Sequence, residues 1–165
     1  MKTYMGVLWR FSEMDERMRC NVEKFLTKHS YCTLATCSES IPLATVVMYV
    51  SYGLDLFFFS GERTKKIKNL LKNPNIAVSV EGRRFLFFPQ AVEMTGTAAI
   101  LSGSEEERAK ELYFSGKRPE YVVAKRIAER NRIKWIKFTP RKVYTYGIGT
   151  RPWHISPDKQ FRRVF

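Results

Sequence analysis

Histidine and cysteine are scarce, at two and three in 165 residues. Cys20, Cys32 and Cys37 form no C-x-x-C pair, and three thiols cannot all pair with one another, which argues against a disulfide framework and against a zinc site. Reduced thiols in a cytoplasmic protein are the expectation. Long apolar runs are missing as well. The stretch from Met1 to Met18 holds a short apolar patch broken by Arg10 and by acids, and no window approaches the length of a membrane-spanning helix. Acidic residues become scarce toward the end of the chain: Lys117 to Phe165 carry 14 basic and 3 acidic side chains, a net of +11 out of +13 for the whole sequence.

What is present suits a folded domain. Hydrophobic residues make up 44% and aromatics 14%, enough for a sizeable core, and 165 residues fit a single domain whose last stretch, 149–165, reads as a tail. The positive field of the second part suits nucleic acid, a phosphorylated ligand or an anionic surface, and it serves equally as a solubility device.

The stretch Pro42 to Glu81 organises the rest. Thr45 to Val50 and Leu54 to Phe59 are rich in Val, Tyr and Phe, as strands buried on at least one face require, and Tyr52-Gly53 between them predicts a hairpin. Ser60 and Gly61 then lead into Lys65, Lys66, Lys68 and Lys72, set among Ile67, Leu70 and Leu71 at helical spacing and stopped by Asn73-Pro74. A helix N-terminus presents unpaired N–H groups and a partial positive charge, so Ser60, Thr64 and the nearby lysines are candidates to hold an anion such as a phosphate. A solvated basic helix is the competing reading of the same residues.

Around that stretch, Ser12 to Asp15 reads as a capping box, with Met14, Met18, Val22, Phe25 and Leu26 at helical spacing to about Lys28. Tyr31 to Cys37 reads as a strand and Ser38 to Ile41 as a polar hairpin connection. Gly82-Arg83-Arg84 looks like a turn, Phe85 to Phe88 a short strand interrupted by Pro89, and Gln90 to Leu101 a longer one in which Gly96 marks a bulge or a close approach. Ser104 to Glu107 is a second capping box, opening a helix to about Gly116, and Pro119 opens another. Ile133 to Phe138, stopped by Pro140, and Lys142 to Gly147 close the chain as strands. Six or seven strands in sequence-adjacent pairs predict a mainly β fold, an antiparallel β-barrel with peripheral helices.

The succession YCTLAT, ATVVMYV, LDLFFFS, TKKIKNLLKNPNIAVSV and VEMTGTAAIL, closed by IKWIKFTP and KVYTYGIG, resembles the pyridoxamine 5'-phosphate oxidase-like flavin-binding split-barrel superfamily over nearly the whole chain. The resemblance implies a homodimer binding FMN in two equivalent clefts at the subunit interface. It implies that Thr45, Val46 and Val47 face the isoalloxazine ring with their backbone groups, and that Ser60, Thr64, Lys65 and Lys66 hold the phosphate, Lys66 foremost. Lys68 and Lys72 are left to solvent. Trp153, beside His154 in the tail, is a candidate to cover the cofactor. Deazaflavin or haem in the same cleft are variants of this reading.

Two departures from the oxidase pattern argue against oxidation of pyridoxamine phosphate itself. The strand that carries a phosphate arginine in that enzyme here begins Ala44-Thr45-Val46, and its Gln-Val-Arg-x-x-Gly strand is echoed only by Gln90 to Gly96, with the Gln displaced and the Arg absent. The expected activity is therefore a flavin-dependent oxidoreductase with an unassigned small-molecule substrate and no nominated catalytic acid or base. His29 reads as a helix-end residue, Cys32 and Cys37 as packed strand residues, and Phe57 to Phe59 as core and dimer interface. The alternative is a nucleic-acid-binding barrel in which Tyr144, Tyr146 and Trp153 lie among the Arg and Lys of the last third.

Overall fold

The computed structural model describes residues 16–84, 88–115, 119–148 and 161–163. Their elements are α1 (Glu16–Lys28), β1 (Tyr31–Ser38), β2 (Ile41–Met48), β3 (Val50–Tyr52), β4 (Asp55–Gly61), α2 (Lys65–Lys72), β5 (Asn75–Arg84), β6 (Phe88–Ile100), α3 (Gly103–Phe114), α4 (Pro119–Arg130), β7 (Ile133–Tyr146) and β8 (Phe161–Arg163). The fold is mainly β with four flanking helices, as the strand-rich sequence predicts.

All neighbouring strands pair antiparallel, in the order β2-β1-β5-β6-β7-β4-β3, with β8 added to β7. The two ends of that order, β2 and β3, are separated in the chain by Tyr49 alone. A sheet whose first and last strands are consecutive in sequence has to curl until its ends meet. The curl is left split, because among the described residues β2 pairs only with β1 and β3 only with β4. The hairpin expected between Thr45–Val50 and Leu54–Phe59 is therefore shorter than its sequence suggests. It joins Val50–Tyr52 to Asp55–Phe57 through Gly53 and Leu54, with Gly53 at φ +59, a left-handed conformation that costs glycine little.

Side chains satisfy the backbone at the split. The Tyr49 N–H donates to Ser30 O (2.8 Å), and the hydroxyls of Tyr113 and Tyr121 donate to Met48 O (3.3 Å) and Tyr49 O (3.4 Å). The Tyr49 ring is fully buried, and its own hydroxyl donates to Leu26 O (2.8 Å). Peptide groups that leave a ladder in a buried place need such partners.

Two apolar clusters result. The barrel interior is mostly aliphatic, with Leu34, Leu56, Val78, Val80, Val92, Ile136 and Val143 from the sheet meeting Val22 and Leu26 of α1 and Ile67 and Leu70 of α2. The second lies where α3 and α4 cover β4 and β7, and is aromatic: Tyr113, fully buried, stands 5.3 Å from the rings of Phe114, Tyr121 and Trp135 and 5.5 Å from Phe59. Phe58 enters the barrel, whereas Phe57 and Phe59 pack on this second cluster.

Four local expectations are corrected by pairing that sequence cues do not register. Gly82-Arg83-Arg84 is no turn: β5 runs through it, matched to Gln90, Pro89 and Phe88. Pro89 accordingly lies within the start of β6, which begins at Phe88, instead of interrupting a strand. Pro140 does not stop β7, which is a single strand from Ile133 to Tyr146. The register shifts there, with Gly96 opposite Pro140 and Thr95 opposite Lys142, so that Arg141 is the extra residue of a bulge. The bulge needs Gly96, because a Cβ on that residue would lie 2.7 Å from the Pro140 Cα. Helix α3 starts ahead of the expected box, with Ser102 at the N-cap and no side-chain cap bond. The first expected box, Ser12 to Asp15, lies outside the described residues, as does Phe85.

Candidate functional site at the split of the barrel

Continued past Tyr49, the β3–β4 register would set Val47 against Ser60 and Val46 against Gly61, but the ladder ends at Val50 and Phe57. β2, which carries Thr45–Val47, and β4, which ends in Ser60 and Gly61, approach within 8 Å between Cα atoms, and Cys32, the partner of Val47 on β1, lies near Lys66 of α2. Because β2 is paired on one side only among the described residues, alternate N–H and C=O groups along it turn toward the edge that no described strand covers.

On β2 the side chains divide. Val47 lies opposite Cys32 and Thr45 opposite Leu34, all on the inward face, whereas Val46 is 68% exposed on the outer face. The Thr45 hydroxyl is buried and has no hydrogen-bond partner. Leaving such a group unpaired costs about 1–3 kcal/mol, so it is a standing acceptor and donor for a polar ligand.

On the other side, the Ser60 hydroxyl, on a buried residue, is 3.0 Å from that of Thr64. Thr64 occupies the N-cap of α2 in extended conformation (φ −69, ψ 152), yet its hydroxyl caps no N–H of the helix. Normally that oxygen would satisfy one of the first-turn N–H groups. Here it turns to Ser60, and the helix start keeps its donors.

Lys66, the second residue of α2, is half-buried and makes no ion pair among the described residues. Burial holds its pKa below the ordinary lysine value, opposed by the Cys32 sulfur nearby. That opposition requires a thiolate, and burial pushes the Cys32 thiol up to about 12. Around neutral pH Cys32 is therefore neutral, and Lys66 is an incompletely solvated cation with no anion. Lys65 and Lys68 are exposed, and so is Lys72; the charge of Lys65 acts on Glu39, which forms an ion pair with Lys72. The structure thus brings together Ser60, Thr64, Lys66, Thr45 and Val47, turns Lys65 outward, and leaves Trp153 and His154 outside the described residues.

Sequence reasoning overlooked the residues that hold α2 in place. Asn69 is 0% exposed; its Nδ2 donates to Thr36 Oγ1 (3.1 Å) and its Oδ1 accepts from Ser38 Oγ (2.8 Å). Asn73 Nδ2 donates to Cys37 O (3.1 Å). The signal was available: an asparagine between Ile67 and Leu70 on the apolar face of an amphipathic helix asks for buried polar partners.

His29 is fixed. Its Nδ1 lies 2.8 Å from Phe25 O, which can only accept, so Nδ1 carries the proton. The ring sits 4.2 Å from that of Phe25, and its Nε2 end presses on Gly82, where no Cβ would fit. Other hollows lie away from the split: about 620 Å³ beside Glu81, Gln90 and Tyr146 on the outer face, and about 540 Å³ under α3 between Phe57, Leu101 and Arg108. No helix among the described residues is long and apolar enough to cross a membrane, and no group of His, Cys, Asp and Glu among them is placed to hold a metal.

Solved structures share this architecture at low sequence identity. A haem-binding protein from Mycobacterium smegmatis superposes with a TM-score of 0.68 at 17% identity, over 87% of this chain and 57% of its own. The chain therefore spans little more than half the length of that relative. A FAD-binding protein from Mesorhizobium loti gives 0.62 at 19%, over 75% and 88%, and HutZ, a haem storage protein from Vibrio cholerae, 0.62 at 11%, over 75% and 90%. No curated protein matches the sequence. The profile named pyridoxamine 5'-phosphate oxidase matches residues 18–147, from the first helix to the end of β7, and the chain belongs to that family.

Proposed function

We propose that this protein is an FMN-binding, homodimeric oxidoreductase acting on a small molecule, with the cofactor seated in the split of the barrel. The observation that carries the reading is Lys66, a half-buried ammonium without an acidic partner, beside the paired hydroxyls of Ser60 and Thr64 at a helix start that keeps its N–H donors. A phosphate dianion needs several donors and at least one cation, and this group supplies both. Lys65 adds charge from outside the cleft. The open edge of β2 at Thr45, Val46 and Val47 supplies backbone groups, and the Thr45 hydroxyl an unpaired polar atom, to the polar edge of a flavin ring. Trp153 is assigned to the cofactor's cover from the C-terminal tail. Bound FMN would supply the redox chemistry, and the residues named here would bind and orient it.

His29, the histidine among the described residues, is not free to ligate a haem iron, with one nitrogen on Phe25 O and the other against Gly82. A second copy of the chain is the partner that fits the outer face of β1, β2 and β5, where Tyr31 and Val46 stand exposed around the small side chains of Ala35, Ala44 and Ala77. Flavin is favoured over nucleic acid because the basic residues among the described ones do not form one stripe. Lys134 and Lys137 pair with Glu62 and Asp55, Arg141 and Lys142 sit at the β7 bulge, and Lys125, Arg126 and Arg130 project from α4.

The test is the absorption spectrum of the purified protein, followed by titration of cofactor-free protein with FMN. A flavin spectrum and saturable FMN binding are expected. A haem or deazaflavin spectrum would reassign the cofactor, and colourless protein that cannot take up FMN would overturn the reading.

A further inference from the structure

We infer that Asn69 is a positioning residue for the phosphate-binding end of α2, acting through Lys66; this rests on the flavin-phosphate reading above. One side-chain amide joins the helix to two alternate residues of β1: Nδ2 donates to Thr36 Oγ1 at 3.1 Å and Oδ1 accepts from Ser38 Oγ at 2.8 Å. All three residues are buried, at 0%, 2% and 7% exposure. Two bonds from one planar group to points two residues apart on a strand set both the rotation of the helix about its axis and its position along the strand.

Apolar contact alone does not do this. Ile67 and Leu70 bury the same helix, but hydrophobic attraction is non-directional and tolerates sliding, whereas hydrogen bonds weaken steeply once their angle is lost. A buried polar side chain that specifies register at some expense of stability is known from other helical assemblies. Lys66 and Asn69 are three residues apart, about 4.5 Å along the axis and on one face. Asn73, which bonds to Cys37 O, continues that face. Lys65 and Lys72 flank that face and Lys68 lies furthest from it, and all three are exposed. A modest rotation of α2 would carry Lys66 away from the split, and the two bonds of Asn69 oppose it.

The inference predicts a separation between stability and phosphate recognition. In Asn69→Leu the hydroxyls of Thr36 and Ser38 are left buried without their partner, so the protein melts at a lower temperature. In the triple variant Thr36→Val, Ser38→Ala, Asn69→Leu no such group remains, and much of the stability returns, because replacing both sides of a buried hydrogen bond by apolar groups is close to neutral. The ratio of riboflavin to FMN dissociation constants does not return with it.

Wild type, Ser38→Ala, Asn69→Leu and the triple variant are titrated with FMN and with riboflavin by flavin fluorescence, and melted in parallel. The ratio is expected to fall about threefold in Ser38→Ala and about tenfold in the other two, with riboflavin affinity unchanged within about twofold. A triple variant that keeps the wild-type ratio shows Asn69 to be structural only and overturns the inference while leaving the phosphate site intact. Should the two substituted proteins fail to fold, an unchanged ratio in Ser38→Ala overturns it in the same way. Wild-type protein that binds FMN no better than riboflavin removes the phosphate site itself, and the inference with it.

Discussion

Lys66 and Lys68 stand two residues apart on α2, are the same residue type, and live in different surroundings. Lys68, with Lys65 and Lys72, projects into water, where a lysine is fully hydrated. Lys66 is half-buried beside a neutral thiol, its pKa depressed by burial, on the face that Asn69 and Asn73 bond to β1. In a basic helix, then, the number of lysines says little about anion binding. Rotation decides which of them is incompletely solvated and therefore gains most from an anion.

The sharpest way to break this contrast is to remove one lysine from each face. Lys66→Ala is expected to weaken FMN binding by about ten- to a hundredfold, the range for losing a hydrogen bond to a charged group, while riboflavin binding stays nearly constant. Lys68→Ala is expected to change neither by more than about twofold. Equal losses in both variants would mean that long-range charge, not the inward position, attracts the phosphate.

Titration with pH sharpens it further. Only the protonated ammonium holds the phosphate, and burial lowers the pKa of Lys66 from 10.5. As pH rises through that lowered value the cation is lost, so the preference for FMN over riboflavin should fade before the ordinary lysine range is reached. Lys66→Ala should show no such fading. A preference that persists to pH 10.5 in wild type would assign the charge contact to one of the exposed lysines.

Smaller effects are expected from the hydroxyls opposite Lys66. Ser60→Ala and Thr64→Val should each lower FMN affinity about three- to tenfold. The two losses together should be less than additive, because each hydroxyl is the other's hydrogen-bond partner at 3.0 Å. Strict additivity would separate them into independent sites. The smallest effect belongs to the outer face: Lys72→Ala breaks the exposed pair with Glu39 and should alter neither the melting temperature nor flavin affinity measurably. A loss of flavin there would extend the site to the solvent side of α2.

Much of this was legible from residues. The β-prone run Leu54–Phe59, the Gly53 turn, the short basic helix closed by Asn73-Pro74, the bulge at Gly96 and the helix opening at Pro119 appear where sequence placed them, whereas the run Thr45–Val50 is divided at Tyr49 between β2 and β3. Local side-chain chemistry decides these features. The errors fall where a distant partner overrides a local cue. Gly82-Arg83-Arg84 looks like a turn but has β6 alongside to pair with, and Pro140 looks like a strand end but sits in a bulge made possible by Gly96 some forty residues earlier. Tyr49 shows no sign in sequence of being the break between β2 and β3. Its isolation depends on Ser30, Tyr113 and Tyr121, which meet it only in the folded chain.

The sequence by itself determined the class of fold and which hydroxyls and ammonium groups are candidates for an anion, because strand propensity, helical spacing and the supply of such groups are carried by neighbouring residues. Only the tertiary structure decided which lysine faces the split, that Thr45 has an unpaired hydroxyl, and that Asn69 anchors the helix. These depend on the curl of the sheet, which brings β1, β2 and β4 against α2 and sets how far each polar group is withdrawn from water.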